Sequence, residues 1–322
     1  MKFDYDKKQI RQIADEYSYT ATNVEKVIRL CLILEDLNSL DEFAGKLLLK
    51  GGTAINLVAF EKLPRLSVDL DLDFAYNLSK EETNLERERI NKALNAYCDN
   101  MGYRLSDRSN FVLDSKSLLY TTTTGSLDKI KLDINYHSRC HVYPTAFSDI
   151  ALPFGLDGKH IHVAHLDIIE LFAGKIKALY ERCKPRDIYD IFSLAQSGLL
   201  STGEEQTALR KCAVFYSILG NADKPDLLKQ DLTLIRKMPF QALKTQLLPM
   251  LHTKLGHFDK DSLFDVLSVN YLENLMKLED SETEFVTSFF KGDFHPELLF
   301  DKETSDNLKK HPVVLRTLSM MK

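Results

Sequence analysis

A strand-like stretch from Arg65 to Phe74 constrains the fold more than any other part of the chain. Its even positions are aliphatic up to Leu72, whereas its odd positions are polar. Because side chains alternate across a β-strand, this pattern predicts a half-buried strand with all the polar residues on one face. These polar residues are Arg65, Ser67, Asp69, Asp71 and Asp73.

The three aspartates of this stretch form a candidate metal site. Neighbouring carboxylates on one strand face repel each other unless a cation neutralises them, and hard oxygen ligands suit Mg²⁺ or Mn²⁺. An EF-hand is excluded, because Phe74 stands where its loop needs glycine and Lys80 where it needs a bidentate glutamate. A solvated edge strand that carries charges against aggregation is the structural alternative.

A glycine turn lies upstream of the acidic stretch. The sequence from Leu47 to Val58 predicts a strand, a tight turn at Gly51-Gly52 and a helix that begins near Thr53. Free N–H groups at such a helix start suit a phosphate group. The chain has no G-x-x-x-x-G-K-[ST] sequence, so this is not a Walker A loop, and in isolation a plain turn is the simpler interpretation.

A second alternating stretch carries another candidate acid. Residues 117–124 and 129–136 predict a β-hairpin, and Asp133 lies on the polar face of its second strand. If that strand neighbours the acidic stretch, Asp133 joins the cluster as a third metal ligand or as a general base. An exposed strand aspartate is the alternative.

The helix predicted from His165 to about Arg182 contributes two cations. Lys175 and Arg182 lie on or beside its apolar side, where a cation either extends to water or points into a cleft that binds phosphate. The next helix, which starts at Pro185, places Asp187 and Asp190 on one face, one turn apart. Capping for Asp187 and a surface position for Asp190 are the structural alternatives.

The order of these patterns predicts two domains. A helical N-terminal segment precedes an α/β (α+β) region, in which a long helix runs from a capping box at Ser79 to Gly102. The pattern after Ala164 is helical almost throughout, so the second domain is expected to be all-α. We place the domains at residues 1–145 and 146–322, with a Pro- and Gly-rich linker within residues 140–159.

Composition excludes several classes of protein. With 322 residues, 44% of them hydrophobic and 28% charged, the chain is typical of a globular protein. A net charge of −5 gives no argument for nucleic-acid binding from overall charge. No apolar run approaches the ~18 residues of a membrane span, the N-terminus carries no signal peptide, and the five cysteines lack a C-x-x-C pair. A cytoplasmic protein without membrane partners is therefore expected.

Five histidines and one cysteine between residues 137 and 165 suggest a zinc site at first sight. Their spacings lie in the Pro- and Gly-rich linker and match no common zinc motif, so surface histidines are the preferred interpretation. Motifs of serine hydrolases, zincins and protein kinases are absent.

Taken together, four motifs resemble the AbiEii/AbiGii toxin family of nucleotidyltransferases. They match in order and approximate spacing, from about Leu47 to Leu194. The resemblance implies the minimal nucleotidyltransferase fold of DNA polymerase β, with a mixed-sheet domain and an all-α C-terminal domain. The motifs are Lys50-Gly51-Gly52-Thr53, Arg65-x-Ser67-x-Asp69-x-Asp71, Ala173-Gly174-Lys175-Ile176-x-Ala178 with Arg182, and Arg186-Asp187-x-Tyr189-Asp190.

The resemblance also implies roles for individual residues. Asp69 and Asp71 are expected to be metal ligands, and Lys175 to contact phosphate. Asp187 or Asp190 is expected to carry the second essential acid. Asp73 lies beyond the family's pattern and is treated as a secondary ligand. The residues expected to bind nucleotide are Lys50, Gly51, Gly52, Thr53, Arg65, Ser67, Lys175 and Arg182.

The resemblance further implies Mg²⁺ (or Mn²⁺), an NTP as co-substrate and the toxin half of a toxin–antitoxin pair. Some related toxins modify the 3′ end of tRNA, which makes tRNA the preferred acceptor. Basic residues at Lys309, Lys310 and Arg316, and on the helix around Arg89, support an RNA surface only mildly. Transfer to a protein or a small-molecule hydroxyl, or a silent module that binds an antitoxin or RNA, are the alternatives.

Overall fold

In a computed structural model of the chain, the acidic stretch lies near the centre of one mixed β-sheet. The alternation around Leu70 and Leu72 explains this position, since both side chains are almost completely buried and each contributes roughly 2 kcal/mol of burial free energy. The structure describes residues 3–60, 63–110, 112–221, 224, 226–229, 232–235, 237–252 and 271–321.

Seven strands of the described chain form this sheet, in the spatial order β3-β4-β5-β2-β1-β7-β6. Strand β2 pairs antiparallel with β1 and parallel with β5. Two parallel strands need a long crossover connection. The helix after β2 and the hairpin strand β4 lie in the connection between β2 and β5. The strands are β1 (Leu47–Lys50), β2 (Asp69–Phe74), β3 (Arg104–Asp107), β4 (Leu113–Thr121), β5 (Leu127–Asn135), β6 (Ala146–Ala151) and β7 (His160–His165).

Helices α1 (Lys7–Tyr17), α2 (Ala21–Ser39) and α4 (Lys80–Met101) accompany this sheet. Helix α2 buries 11 of its 19 residues, most of them apolar, and is packed against β5 and β7. Helix α4 begins at the predicted capping box of Ser79 and Glu82 and ends at Gly102, whose φ of 75° gives the left-handed C-cap. A hydrogen bond of 2.9 Å from the Tyr97 hydroxyl to Asp36 joins α4 to α2.

Two predicted strands have different bounds in the structure. Strand β2 begins only at Asp69, so Arg65 and Ser67 precede it in an irregular segment. The predicted hairpin is present, but its turn covers residues 122–126 rather than 125–128. A hydrogen bond of 2.8 Å from the Thr122 amide to the Ser126 carbonyl closes this turn.

The chain divides into two compact units. The first contains Met1–Arg139, Thr145–Leu166 and Pro249–Leu255, and the second contains Cys140–Pro144, Asp167–Leu248 and Gly256–Lys322. This division differs from the predicted boundary at residues 145 and 146. Strands β6 and β7, which fall in or just after the predicted linker, complete the edge of the first unit's sheet.

Every regular element described in the second unit is a helix, as the sequence predicts. Helices α5 (Ile168–Arg182), α6 (Pro185–Ser197) and α7 (Gly203–Ile218) come first. The buried Glu170 of α5 accepts hydrogen bonds from the backbone amides of Val142 and Tyr143, at 2.9 and 3.2 Å, and so holds the 140–144 segment. The later α-helices are Phe240–Gln246, Glu273–Leu275, Asp280–Phe289, Lys302–Leu308 and Pro312–Met321.

None of the helices in the described part of the chain combines the length and the apolar character needed to cross a membrane.

Candidate active site

The predicted Gly51-Gly52 turn forms the start of a short helix, α3 (Gly51–Ala54), which follows β1 directly. This helix continues as a π-helical turn at Ile55–Ala59. Gly51 has a φ of 69°, and a Cβ atom placed on it would lie 2.4 Å from Oδ2 of Asp71. A Cβ on Gly52 would lie 2.6 Å from a guanidinium nitrogen of Arg65. Both glycines therefore allow charged side chains to approach the backbone of the turn.

Thr53 ties the turn to the start of β2. Its hydroxyl lies 2.5 Å from the carbonyl oxygen of Asp69, to which it donates, and 2.9 Å from the hydroxyl of Ser67. Thr53 is buried, so these hydrogen bonds fix the position at which β2 leaves the irregular segment. Ser67, which the resemblance marks as a nucleotide-binding residue, thus contacts the turn through Thr53.

Arg65 lies beneath the turn and is almost completely buried. Its guanidinium donates to the carbonyl of Leu66 at 2.9 Å, and its backbone amide donates to the side chain of Asn56 at 3.2 Å. The amide group of Asn56 in turn donates to the Gly52 carbonyl at 2.6 Å. Arg65 therefore supports the turn from inside the protein, and its predicted place on the exposed strand face was wrong.

Asp69 and Asp71 lie on one face of β2 and are both half-buried. In the parallel register of β2 and β5, Asp71 lies directly beside Asp133, and Asp69 lies beside Lys131. Strand β5 therefore neighbours the acidic stretch, so Asp133 joins the acidic face. Three carboxylates lie on adjacent positions of two neighbouring strands, next to the Gly51 turn.

Asp133 is held by two side chains. The hydroxyl of Ser115 on β4 donates to its Oδ1 at 2.7 Å, and the ammonium group of Lys131 pairs with its Oδ2. Burial tends to lower the pKa of Lys131, but the hydrogen bond to Asp133 and the charges of the neighbouring aspartates raise it above its ordinary value. Lys131 therefore stays charged beside the acidic face.

Asp73 occupies a different environment from the other two aspartates of β2. It is 2% exposed, and its Oδ1 lies 2.5 Å from the ammonium nitrogen of Lys50. This ion pair joins the ends of β1 and β2 below the turn. Asp73 therefore balances Lys50, which agrees with its treatment as secondary to Asp69 and Asp71.

The donor set of the acidic face fits a divalent cation. Carboxylate oxygens are the ligands that Mg²⁺ and Mn²⁺ prefer, and Mg²⁺ is commonly bound by one or two carboxylates together with substrate phosphates. Within the described residues, no group of three or more His, Cys, Asp or Glu side chains is preassembled around a common point. Asp69 and Asp71 are thus the primary candidates, with Asp133 turned towards Ser115 and Lys131.

The remaining predicted residues form a buried ionic cluster in the second unit. The ammonium nitrogen of Lys175 lies 3.0 Å from carboxylate oxygens of both Asp187 and Asp190. The guanidinium of Arg182 donates to both oxygens of Asp187, at 2.7 and 2.9 Å. The structural alternatives do not hold, because Lys184 rather than Asp187 is the N-cap residue of α6 and Asp190 is almost completely buried.

Opposing effects set the ionisation of Asp187. Burial acts to raise its pKa, but the hydrogen bonds and charges of Arg182 and Lys175 outweigh burial, so the pKa lies below its ordinary value. Asp187 is consequently ionised and balances the two cations. Lys175 lies between two carboxylates that fix its ammonium group, which is the arrangement of a positioned cation.

The histidines do not form a metal centre among the described residues. His160 and His162 are exposed on one face of β7. His165 is buried, and its two ring nitrogens lie 2.9 Å from the Ser148 hydroxyl and 2.7 Å from the Leu166 carbonyl. The preference for surface histidines therefore holds for two of these positions, whereas His165 is a core residue.

Sequence reasoning missed two residues that contact this site. Ser115 holds Asp133, and Asn56 joins Arg65 to the glycine turn. The hairpin register would have indicated Ser115, since it lies opposite Asp133 once the turn is placed correctly. Asn56 carried no local signal, because its role depends on the conformation of the segment before β2.

A glycine turn that faces two aspartates on the neighbouring strand of a mixed sheet agrees with the nucleotidyltransferase class that the four motifs indicate. The family model described as "Nucleotidyl transferase AbiEii toxin, Type IV TA system" matches residues 32–267. This range covers well over half of the chain. The protein belongs to this family of nucleotidyltransferase toxins and is an enzyme that transfers nucleotides.

The fold has a counterpart of known structure. MenT4, a nucleotidyltransferase toxin from Mycobacterium tuberculosis H37Rv, aligns over 99% of this chain and 100% of its own, with a TM-score of 0.62 and 12% sequence identity. At this identity the likeness shows the fold alone. No curated protein matches the chain in sequence.

Proposed function

We propose that the protein transfers a nucleoside monophosphate from an NTP to the 3′ end of tRNA, with Mg²⁺ (or Mn²⁺) as cofactor. The observation that carries this proposal is the acidic face itself. Two half-buried aspartates, Asp69 and Asp71, adjoin a glycine turn that no larger residue could form, with Asp133 in register beside them. Two carboxylates beside a phosphate-sized turn suit an NTP with its metal ions.

In this proposal Asp69 and Asp71 hold the metal, with Asp133 as the third ligand. When bound, divalent cations supply charge neutralisation for the leaving pyrophosphate and lower the pKa of the attacking hydroxyl. In this proposal the backbone amides of Gly52 and Thr53 face the triphosphate, and Lys50, which is paired with Asp73, lies next to this turn. The bond between the α- and β-phosphates breaks as the acceptor oxygen bonds to the α-phosphorus.

The alternative role of Asp133 is that of the general base, which accepts the proton of the attacking hydroxyl. Ser115 and Lys131 hold it in one orientation, so a geometry that suits proton transfer does not have to form during the reaction. Lys175 is proposed to contact phosphate and offset developing negative charge, and Arg182 to assist it. Asp187 and Asp190 would then orient Lys175, and one of them would be the second essential acid that the resemblance implies.

The partner proteins and acceptors follow from the family. A type IV toxin implies a cognate antitoxin, which we propose as a partner. The toxin is expected to act in the cytoplasm, where tRNA and NTPs are present. Nucleotide transfer to a protein or a small-molecule hydroxyl uses the same acidic face, so the acceptor distinguishes these alternatives.

The test is to incubate the purified protein with each α-labelled NTP, Mg²⁺ and total cellular RNA, and then to separate RNA from protein. Wild type should label RNA of tRNA size, and Asp69→Ala should not. The matched control is Asp149→Ala, because that carboxylate is 72% exposed on β6 and lies outside the acidic face.

Label on protein alone would favour a protein acceptor. Label on neither fraction, or equal labelling by Asp69→Ala, would contradict nucleotide transfer to RNA through this acidic face. Chelation of divalent cations should abolish labelling, and added Mg²⁺ should restore it. Labelling that persists after chelation would contradict the metal assignment.

A further inference from the structure

Basic and hydroxyl side chains continue the face of the sheet that carries Asp69. In the register of β2, β5, β4 and β3, one row across the sheet contains Asp69, Lys131, Ser117 and Ser106. The neighbouring row contains Lys129, Leu119 and Arg104. We call the part of this face on β3, β4 and β5 the basic strip. Its polar members are Arg104, Ser106, Ser115, Ser117, Lys129 and Lys131.

The cations of the basic strip are exposed to solvent. Arg104, Lys129 and Lys131 are exposed, and Ser106 is exposed as well. On the opposite side of the same strands, Lys116 is buried and pairs with Asp107. The sheet therefore neutralises the lysine that points inward, whereas the cations of the strip face solvent.

Carboxylates are scarce on this strip. Asp133 pairs with Lys131, but in the described part of the chain Arg104 and Lys129 form no ion pair with a carboxylate. Arg104 and Lys129 therefore give this end of the sheet face a positive charge, although the net charge of the chain is −5. Such a local patch attracts an anion of matching length.

We infer that the basic strip binds the sugar-phosphate backbone of a polynucleotide acceptor and guides its end to the acidic face. Lysine, arginine and serine are the side chains that most often contact phosphate and sugar in nucleic-acid complexes. The strip begins beside Asp69 and crosses three strand spacings, a distance of about 14 Å. This inference rests on the proposed function and names the class of its acceptor.

The length of the strip favours a polymer over a small acceptor. A small-molecule hydroxyl that reaches Asp69 would leave Arg104, on the far strand, without contact. A polynucleotide has a phosphate at every residue, so it can meet Lys129 and Arg104 while its 3′ end lies at the acids. An acidic peptide is the competing polyanion, and the experiment includes it.

The experiment measures binding without nucleotide transfer. A fluorescent RNA hairpin with a single-stranded 3′ end is titrated with the full-length protein in the absence of NTP, between about 50 and 200 mM salt. The double variant Arg104→Ala/Lys129→Ala should bind about tenfold more weakly. Its RNA binding should also depend less on salt, because the loss of two phosphate contacts means that about one to two fewer ions are released on binding.

The matched control is Lys7→Ala/Lys8→Ala, which removes two exposed cations from helix α1. This variant should bind RNA like wild type. Equal RNA binding by the strip variant and wild type, or a greater loss in the α1 variant, would overturn the inference. So would wild type that binds no RNA, or that binds an acidic peptide of equal charge as tightly as RNA.

The possible outcomes distinguish a failure of the basic strip from a failure of the proposed function. Binding is read without NTP, so loss of binding in the strip variant supports the strip even if no NTP yields label. Labelling of a protein fraction with no RNA binding would instead retain nucleotide transfer and overturn the strip. Circular dichroism shows whether each variant is folded. Exposed side chains are chosen because their replacement should leave the fold intact.

Discussion

At the scale of single residues, the site depends on a backbone position, Gly51, at which any larger residue is strained. Gly51 combines a left-handed φ with a close approach to the Asp71 carboxylate, and each feature alone disfavours a Cβ atom. Many of the 13 glycines of the chain have positive φ, so φ alone does not identify a site. The contact with a carboxylate distinguishes Gly51 from the others.

We expect Gly51→Ala to reduce nucleotide transfer by at least 100-fold, because Asp71 must move to accommodate the new Cβ. Backbone strain should also lower the free energy of unfolding by about 1–2 kcal/mol. Gly125→Ala is the matched control, since Gly125 has a φ of 85° but no heavy atom within 4 Å of the point that a Cβ would occupy. It should lose similar stability and keep its activity, as measured by urea unfolding and by labelling.

Ser115 offers a second prediction at this scale. Its hydroxyl holds the carboxylate of Asp133 in one orientation by a hydrogen bond of 2.7 Å. If Asp133 accepts the proton of the attacking hydroxyl, loss of this hydrogen bond in Ser115→Ala should lower kcat by about tenfold and leave the KM for NTP little changed. Ser115→Thr, which keeps the hydroxyl, should restore kcat. A kcat of Ser115→Ala equal to that of wild type would contradict the assignment of Asp133.

At the scale of elements, packing partners decide what local patterns leave open. Helix α4 was predicted with both ends correct, because its capping box and C-terminal glycine are local signals. The hairpin was predicted, but not its register. The expected turn pairs position 120 with Asp133, whereas the structure pairs Ser115 with it. A shift by an odd number of residues moves a strand's side chains to the other face, which is why Ser115 was missed.

The pair of helices α5 and α6 carries a prediction about pH. Asp187 has a lowered pKa, so its contribution to stability is present above the ordinary aspartate pKa of about 3.9 and is lost as the pH falls through the lower, folded-state value. Asp187→Asn should therefore be less stable than wild type near pH 7, and the difference should shrink below about pH 4. Urea unfolding at a series of pH values measures this.

The control for that experiment is Asp306→Asn, an exposed carboxylate of the same unit. Its stability should follow wild type at every pH. A difference between Asp187→Asn and wild type that stays constant from pH 7 down to about pH 2 would show that the ion pairs of Asp187 contribute no linked stability.

At the scale of the whole molecule, the class of fold was predictable and the division into units was not. The mixed sheet and the all-helical C-terminal part follow from hydrophobic periodicity and from the order of motifs. Strands β6 and β7 were missed, because proline and glycine on either side of them indicated a linker. Strand β7 pairs with β1 across more than a hundred residues of sequence, and β6 pairs with β7. No local pattern encodes the contact between β7 and β1.

The residues that the four motifs mark fall in both units, because the acidic face belongs to the first unit and the Lys175 cluster to the second. Neither unit carries all the residues that the family motifs mark. If both are required, substitution in either should remove activity without unfolding the other. This expectation applies to the intact chain. The growth of cells that produce the protein measures its toxic activity directly.

Production of the wild-type protein without its antitoxin should therefore arrest growth. Asp69→Ala should abolish the arrest because it removes a proposed metal ligand, and Lys175→Met should weaken it if Lys175 contacts phosphate. Asp149→Ala, which removes an exposed carboxylate of the first unit, should arrest growth like wild type. Immunoblots would confirm equal protein levels. Arrest by Asp69→Ala equal to that by wild type would show that toxicity arises from binding rather than from nucleotide transfer, and would favour a silent module that engages RNA.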